Sequence, residues 1–183
     1  TTEGVLFDHQ NAPGAGLIGV NSTIDKLCSI GFETNIKETD QRWPWIQAAA
    51  EAWSRSYVKV YIVYNQFAAL LPIATSFSDF NSMVGDDNHN LLIFNTEKIA
   101  SDLYTGGDNP IGLTRPFGIV DENNSIPIIT VSDDIKIDSG SIDSTFFSAN
   151  QRSLAYTSIT AHEIGHALGL RHVSSHQSIM SQG

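Results

Sequence analysis

The stretch HEIGHALGLRH, residues 162–172, constrains the fold of this chain more than any other part of the sequence. His162 and His166 are four residues apart, so on an α-helix their imidazoles project from one face, one turn apart, and can reach a single ion. Gly169 lies midway between His166 and His172. Because glycine tolerates positive φ and commonly ends helices, the chain can bend there and bring His172 to the same point. The sequence therefore predicts a helix, a bend and one metal site with three histidine ligands.

The residue beside the first histidine indicates what such a site does. Catalytic zinc usually has three protein ligands and keeps a fourth position for water, whereas structural zinc is usually closed by four protein ligands. Glu163 follows His162 directly and is the expected general base. Zinc lowers the pKa of its bound water from about 15.7 to roughly 7, so a nearby carboxylate can take a proton as that water attacks a carbonyl carbon. The same carboxyl can then protonate the leaving amine, and we therefore predict a catalytic zinc site.

Composition excludes several other classes of function. The chain has 183 residues, of which 41% are hydrophobic and 16% charged, and we expect a single globular domain over residues 1–183. Its net charge is −10 and its ten Lys and Arg residues are scattered, which argues against nucleic acid as a partner. The single cysteine, Cys28, excludes an internal disulfide and a multi-thiolate zinc site. The apolar runs are far shorter than the roughly 20 residues that span a bilayer, so no membrane insertion is expected.

Apolar periodicity and turn signals predict the order of the elements. Residues 1–29 form a predicted loop-rich lead-in. Thr39 or Asp40 is the predicted cap of a first long helix. Ser148 and Gln151 form a predicted capping box for a second long helix, which continues to Gly169. Strands are predicted at residues 30–36, 58–65, 90–96, 112–120 and 125–138, the last two joined by a hairpin loop. This order indicates an α+β domain in which a twisted five-stranded mixed sheet is packed by two long helices.

The stretch HEIGHALGLRH followed by SIM resembles the metzincin clan of zinc endopeptidases, in which this helix is paired with a downstream Met-turn. The resemblance is closest to the matrixins, because Met180 lies eight residues after His172 as in that family. Serralysins share HEIGH, but their loop before the methionine is longer. The resemblance implies a monomeric zinc-dependent endopeptidase with Zn²⁺ in a cleft. It also implies that His162, His166 and His172 bind the zinc, that Glu163 is catalytic and that Met180 is a hydrophobic floor beneath the metal.

The sequence GLTRPFG is similar to the antiparallel edge strand of matrixin-like domains, with which the substrate backbone pairs. This similarity implies substrate contacts at Leu113, Thr114, Arg115 and Phe117. Pro116 suits an edge strand better than a central one, because proline cannot donate a ladder hydrogen bond.

Two features depart from the matrixin pattern. Val173 stands where matrixins usually carry Ser or Thr, directly after the third histidine. The family also continues past the Met-turn with a helix that completes the specificity pocket, whereas this sequence stops at Gly183. We expect that the C-terminal segment after the Met-turn is missing, and no substrate preference is predicted.

Two acidic clusters are candidates for the Ca²⁺ that the resemblance implies. Asp86 and Asp87 lie in the sequence GDDNHN, and Asp133 and Asp134 lie in the last predicted strand. Carboxylate oxygens bind calcium, but the spacing of an EF-hand is absent. A solvated loop is the favoured interpretation of the first cluster, and the second is interpreted in the same way.

Partners and location rest largely on the resemblance, which implies protein or peptide substrates, a propeptide or protein inhibitor, and secretion. The start at Thr1, without Met or signal-peptide features, is interpreted as a processed or engineered start, which is compatible with secretion. Cys28 lacks the PRCG context of a latency cysteine, so a small buried hydrophobe is favoured. His176 is predicted to be a loop residue, with substrate contact as the alternative.

Two other functions stay open on the sequence alone. One is a zinc-containing binding module without turnover, against which the intact Glu163 argues. The other is an amidase acting on non-protein amides, which would share the zinc chemistry and differ in the shape of its cleft.

Overall fold

The computed structural model describes residues 4–6, 28–56, 58–69, 89–96, 110–120, 127–175 and 177–181. Within them the strands are β1 (Gly4–Leu6), β2 (Cys28–Thr34), β3 (Val58–Tyr64), β4 (Leu91–Asn95), β5 (Gly112–Val120) and β6 (Pro127–Asp138). The helices are α1 (Trp43–Trp53), α2 (Gln66–Ala69), α3 (Ser139–Thr145) and α4 (Ala149–Ala167). No helix in these ranges is long and apolar enough to cross a membrane.

The strands form one mixed sheet in the order β1-β5-β6-β4-β2-β3. The neighbours β6, β4, β2 and β3 run parallel, β5 is antiparallel to β6, and β1 is antiparallel to β5. The predicted α+β class and the five predicted strands are confirmed. The short strand β1 is an addition, and it lies in the predicted loop-rich lead-in. Three residues are too few for alternation of apolar and polar side chains to reveal a strand.

The strand β5 is open to a partner along only part of its length. Phe117 pairs with Leu6 of β1, and the pairing continues to Ile119. The expectation that Phe117 lies on a free edge is therefore wrong, because β1 occupies its outer side. Among the described residues, no strand pairs with residues 113–116 on the side away from β6.

The helix α1 begins at Trp43, and Pro44 lies in its first turn. The fixed φ of proline is compatible with this position. The N-cap of α1 is Arg42, which makes no side-chain capping bond, so the predicted cap at Thr39 or Asp40 is wrong. Asp40 Oδ1 instead accepts hydrogen bonds from the backbone N of Arg42 at 2.8 Å and from its Nε at 2.9 Å. These bonds to Arg42 hold the pKa of Asp40 below its usual value.

The two long helices pack against one face of the sheet around a common core. The core residues are Ile30, Phe32, Ile36, Ile46, Ala50, Val58, Val60, Ile62, Leu92, Phe94, Ile135, Ile137, Ile142, Tyr156, Ile164 and Ala167. Hydrogen bonds also join α1 to α4. Trp53 Nε1 donates to the carbonyl oxygen of Ala161 at 2.8 Å, and Thr157 Oγ1 donates to that of Trp45 at 3.1 Å. These contacts fix the height of α4 above the sheet.

The helix α4 starts with the predicted capping box. The backbone N of Gln151 donates to Ser148 Oγ at 3.2 Å, and the backbone N of Ser148 donates to Gln151 Oε1 at 3.4 Å. The helix ends at Ala167, two residues before the predicted end at Gly169.

Candidate metal centre

The end of α4 and the turn after it bring three histidines together. His162 and His166 share one face of the helix, and their Nε2 atoms are 3.1 Å apart. Gly169 then adopts φ 96°, a left-handed conformation that glycine tolerates best, and the chain reverses. His172 Nε2 lies 3.0 Å from His162 Nε2 and 3.1 Å from His166 Nε2. Within the described residues this is the only group of three His, Cys, Asp or Glu side chains that could hold a metal ion.

The hydrogen bonds of two rings decide which nitrogens carry protons. His162 Nδ1 lies 2.7 Å from the carbonyl oxygen of Ile179, and His166 Nδ1 lies 2.8 Å from that of Leu170. A carbonyl only accepts, so each Nδ1 holds the proton and each Nε2 presents a lone pair to the other rings. Burial lowers the pKa of His162, which also favours the neutral ring. Such converging lone pairs repel one another unless a cation lies between them, and they fit a zinc ion.

The carboxyl group of Glu163 is buried against β5. Its Oε2 lies 2.5 Å from Thr114 Oγ1, which is also 3.0 Å from the backbone oxygen of Glu163. A Cβ added at Gly112 would come within 2.7 Å of Glu163 Oε1, so glycine leaves the space that the carboxyl fills. Burial raises the pKa of Glu163 to about 7, although the Thr114 hydrogen bond acts to lower it. A carboxyl with such a pKa can both accept and donate a proton near neutral pH.

The segment after the third histidine folds back beneath α4. The backbone N of Val173 donates to the carbonyl oxygen of Met180 at 3.0 Å, and Val173 forms a parallel bridge with Ser181. Met180 is buried, and its sulfur packs against Gly165 of α4. The same segment supplies the Ile179 carbonyl that orients His162. It therefore supports the three-histidine group from below.

The residues expected to contact substrate have different surroundings. Leu113 and Thr114 are buried, Arg115 is partly buried, and Phe117 is paired with β1. The Thr114 side chain contacts Glu163, and the sequence alone did not predict this contact. The two residues are 49 positions apart, and only the packing of α4 on β5 brings them together.

The calcium candidates are not supported by the described residues. Asp133 and Asp134 are buried in β6, where consecutive side chains point to opposite faces of the sheet. Asp134 Oδ1 accepts a hydrogen bond from the backbone N of Leu91 at 2.9 Å, a contact within the sheet. Asp86, Asp87, His176 and the side chain of Cys28 lie outside the described part of the chain.

Comparison with known proteins gives two matches of different weight. The family model described as Matrixin matches residues 39–183. Among solved structures, the chain is similar to archaemetzincin (amzA) from Methanopyrus kandleri, at 14% identity and a TM-score of 0.45 over 86% of this chain and 82% of that one. Comparison with curated proteins found no match. Because the family match extends over well more than half of the sequence, the chain belongs to the matrixin family and is a zinc metallopeptidase.

Proposed function

We propose that this matrixin is an endopeptidase that hydrolyses peptide bonds in extended segments of protein substrates. His162, His166 and His172 hold the catalytic zinc, and Glu163 is the general base. The observation that carries the proposal is the group of three Nε2 atoms within 3.1 Å of one another, beside a buried glutamate. When bound, the ion lowers the pKa of a water molecule and stabilises negative charge on the substrate oxygen.

The role of Glu163 is to move one proton twice. It accepts a proton from the attacking water as the water oxygen forms a bond to the carbonyl carbon, and it returns that proton to the amine nitrogen as the C–N bond breaks. Its burial supports this role, because the raised pKa of about 7 leaves the carboxyl able to take and release a proton. The net reaction consumes one water and yields a carboxylate and a protonated amine.

The substrate strand is proposed to lie along residues 113–116 of β5. No described strand occupies the outer side of this stretch, so an extended peptide can pair with it by β-augmentation. The strand β1 closes the same side from Phe117 to Ile119 and limits the length of the pairing. This arrangement favours an unfolded or loop segment of a protein as substrate.

Several finer expectations stay predictions. They are secretion, a monomeric state, control by a propeptide or protein inhibitor, and bound calcium. None enters the mechanism above.

The experiment that tests this function is a Glu163→Gln substitution assayed with a fluorogenic peptide library. We expect activity to fall at least about a hundredfold, because general base catalysis is lost while the side chain keeps its size. Zinc content, measured by mass spectrometry, should not change. Glu51→Gln, on the exposed face of α1, is the matched control and should retain wild-type activity.

Three outcomes would contradict the proposal. Wild-type activity in a zinc-loaded Glu163→Gln variant would exclude the mechanism. A wild-type protein that binds zinc and cleaves no peptide, with or without chelator, would indicate a binding module. Hydrolysis of small N-acyl amides without cleavage of peptides would indicate an amidase.

A further inference from the structure

The hydroxyl of Thr114 is the described side-chain partner of the Glu163 carboxyl. It lies 2.5 Å from Oε2 and 3.0 Å from the backbone oxygen of the same glutamate. Both side chains are buried, with Thr114 5% and Glu163 4% exposed, so solvent competes little for these contacts. A single hydroxyl on β5 therefore lies within hydrogen-bond distance of Glu163 at two points, and it can donate its hydrogen to either.

We infer that Thr114 is a positioning residue for the peptidase reaction, holding the Glu163 carboxyl in the orientation from which it exchanges a proton. The inference rests on the proposed role of Glu163 as general base. It assigns Thr114 a task different from the substrate contact that its place in the strand suggests.

The surroundings leave the carboxyl little freedom. Glutamate has three rotatable side-chain bonds, and a general base must be held close to one geometry to act efficiently. Gly112 lies so close to Oε1 that an added Cβ would be only 2.7 Å from it, and the Thr114 hydroxyl binds Oε2. Thr114 itself is anchored, because its backbone belongs to the ladder between β5 and β6 opposite Ile135. The strand therefore supplies a rigid support for a flexible side chain.

A hydroxyl is suited to both stages of the proposed reaction. Before proton transfer it donates its hydrogen to the Oε2 carboxylate oxygen. After the other carboxyl oxygen has accepted a proton, Oε2 is still an acceptor, so the hydroxyl can keep this bond or donate its hydrogen to the backbone oxygen at 3.0 Å. Neither stage requires the carboxyl to move away from β5. Valine has the same shape as threonine but could make none of these bonds.

The test compares Thr114→Val with Thr114→Ser in zinc-loaded protein. In the valine variant we expect kcat to fall about 10- to 100-fold with KM nearly unchanged, as is typical when a group that orients a functional residue is lost. The serine variant, which keeps the hydroxyl, should recover most of this loss. A crystal structure of the valine variant should show the Glu163 carboxyl rotated from its wild-type position.

Thr160→Val provides the matched control. Thr160 is also a fully buried threonine of the same region, on α4, and its Oγ1 has no hydrogen-bond partner among the described residues. Its substitution should leave kcat unchanged, which separates loss of a hydrogen bond from the general effect of placing valine in the core.

Several results would overturn the inference. The first is a Thr114→Val kcat within twofold of wild type. The second is a serine variant as slow as the valine variant, since the hydroxyl would then be irrelevant. The third is a loss of activity that is explained by a proportional loss of bound zinc, or by a fall in Tm that unfolds the variant at the assay temperature. Either result would assign Thr114 to stability. If Glu163→Gln is fully active, the proposed function fails instead, and the position of the carboxyl in the Thr114→Val crystal still tests the contact.

Discussion

Gly165, between the two helix histidines, is placed where no larger residue fits. A Cβ at this position would overlap the sulfur of Met180 and lie 2.9 Å from Cζ2 of Trp53. Alanine is the better helix former by about 1 kcal/mol, but overpacking a dense core costs about 1 to 3 kcal/mol. We expect Gly165→Ala to lower the free energy of unfolding and to weaken zinc binding, because Met180 and the segment that orients His162 must shift. Chemical denaturation and zinc titration measure the two effects.

A double-mutant cycle identifies the cause of that loss. If the clash with Met180 dominates, Met180→Ala makes room for the added methyl, and the double variant is more stable than the sum of the single effects predicts. An unchanged free energy of unfolding in Gly165→Ala would show that α4 and the Met180 segment can separate without cost.

Residues of the candidate site differ in how far the sequence predicts them. The histidines are a matter of local spacing, since one helical turn and one glycine bend relate His162, His166 and His172. Thr114, Gly112 and Gly165 act through packing between elements distant in the chain. No periodicity encodes such contacts, so the sequence predicted that the three histidines lie together and missed the side chains around them.

At the scale of elements, three helices meet at Tyr156. Its hydroxyl donates to Asp143 Oδ1 of α3 at 2.8 Å, and its ring stacks on Trp45 of α1 with centroids 5.9 Å apart. Burial, followed by the Asp143 carboxylate, raises the pKa of Tyr156 to about 12. Since the ordinary value is 10.0, the folded state favours the neutral hydroxyl. This stabilisation is fully present below pH 10 and is lost as the pH rises through 12.

Tyr156→Phe tests this linkage while keeping the ring. Near pH 8 we expect the variant to be less stable than wild type by about 1 kcal/mol, the usual net value of one hydrogen bond. Between pH 9 and about pH 11 the wild-type advantage should shrink by roughly 1 kcal/mol, because the unfolded wild-type chain ionises first. Urea denaturation of both proteins at each pH measures the difference between their free energies of unfolding. Titrating groups that both proteins share cancel in this difference. A difference independent of pH would contradict the raised pKa.

The elements themselves followed the sequence where their signals were local. The capping box at Ser148 and Gln151 placed the start of α4 correctly, and the alternation over residues 30–36 placed β2 within two residues of its observed ends. The strand β1 was missed because its existence depends on pairing with β5, more than a hundred residues away in the chain. The first helix was placed correctly, but its cap was not, because Asp40 binds Arg42 rather than the helix end.

On the scale of the whole molecule, the metal centre joins two parts of the chain, of which one is held by many more contacts with the rest of the protein than the other. The helix α4 is held by the core, by its cap and by hydrogen bonds to α1. Among the described residues of the segment over residues 170–181, Met180 is the one buried side chain, and the others are exposed or partly exposed. A ligand shared by His172 and α4 therefore stabilises the segment more than the core.

Removal of zinc should expose this difference. A ligand that binds only the folded state at a thousand times its Kd adds about 4 kcal/mol, so a strong chelator should lower Tm by roughly 8 to 16 °C. Without zinc, hydrogen exchange in the segment after α4 should approach that of an unfolded chain, whereas β2 and β3, at the end of the sheet away from β5, should keep the protection that the remaining global stability allows. Added Zn²⁺ should restore both readouts, whereas a calcium-selective chelator should affect neither if the histidine site alone is responsible.

An unchanged Tm after verified zinc loss would mean that residues 170–181 are held by Met180 and the Val173 hydrogen bond without the metal. Loss of protection throughout the sheet, down to the level of an unfolded chain, would mean that the metal stabilises the fold as one cooperative unit.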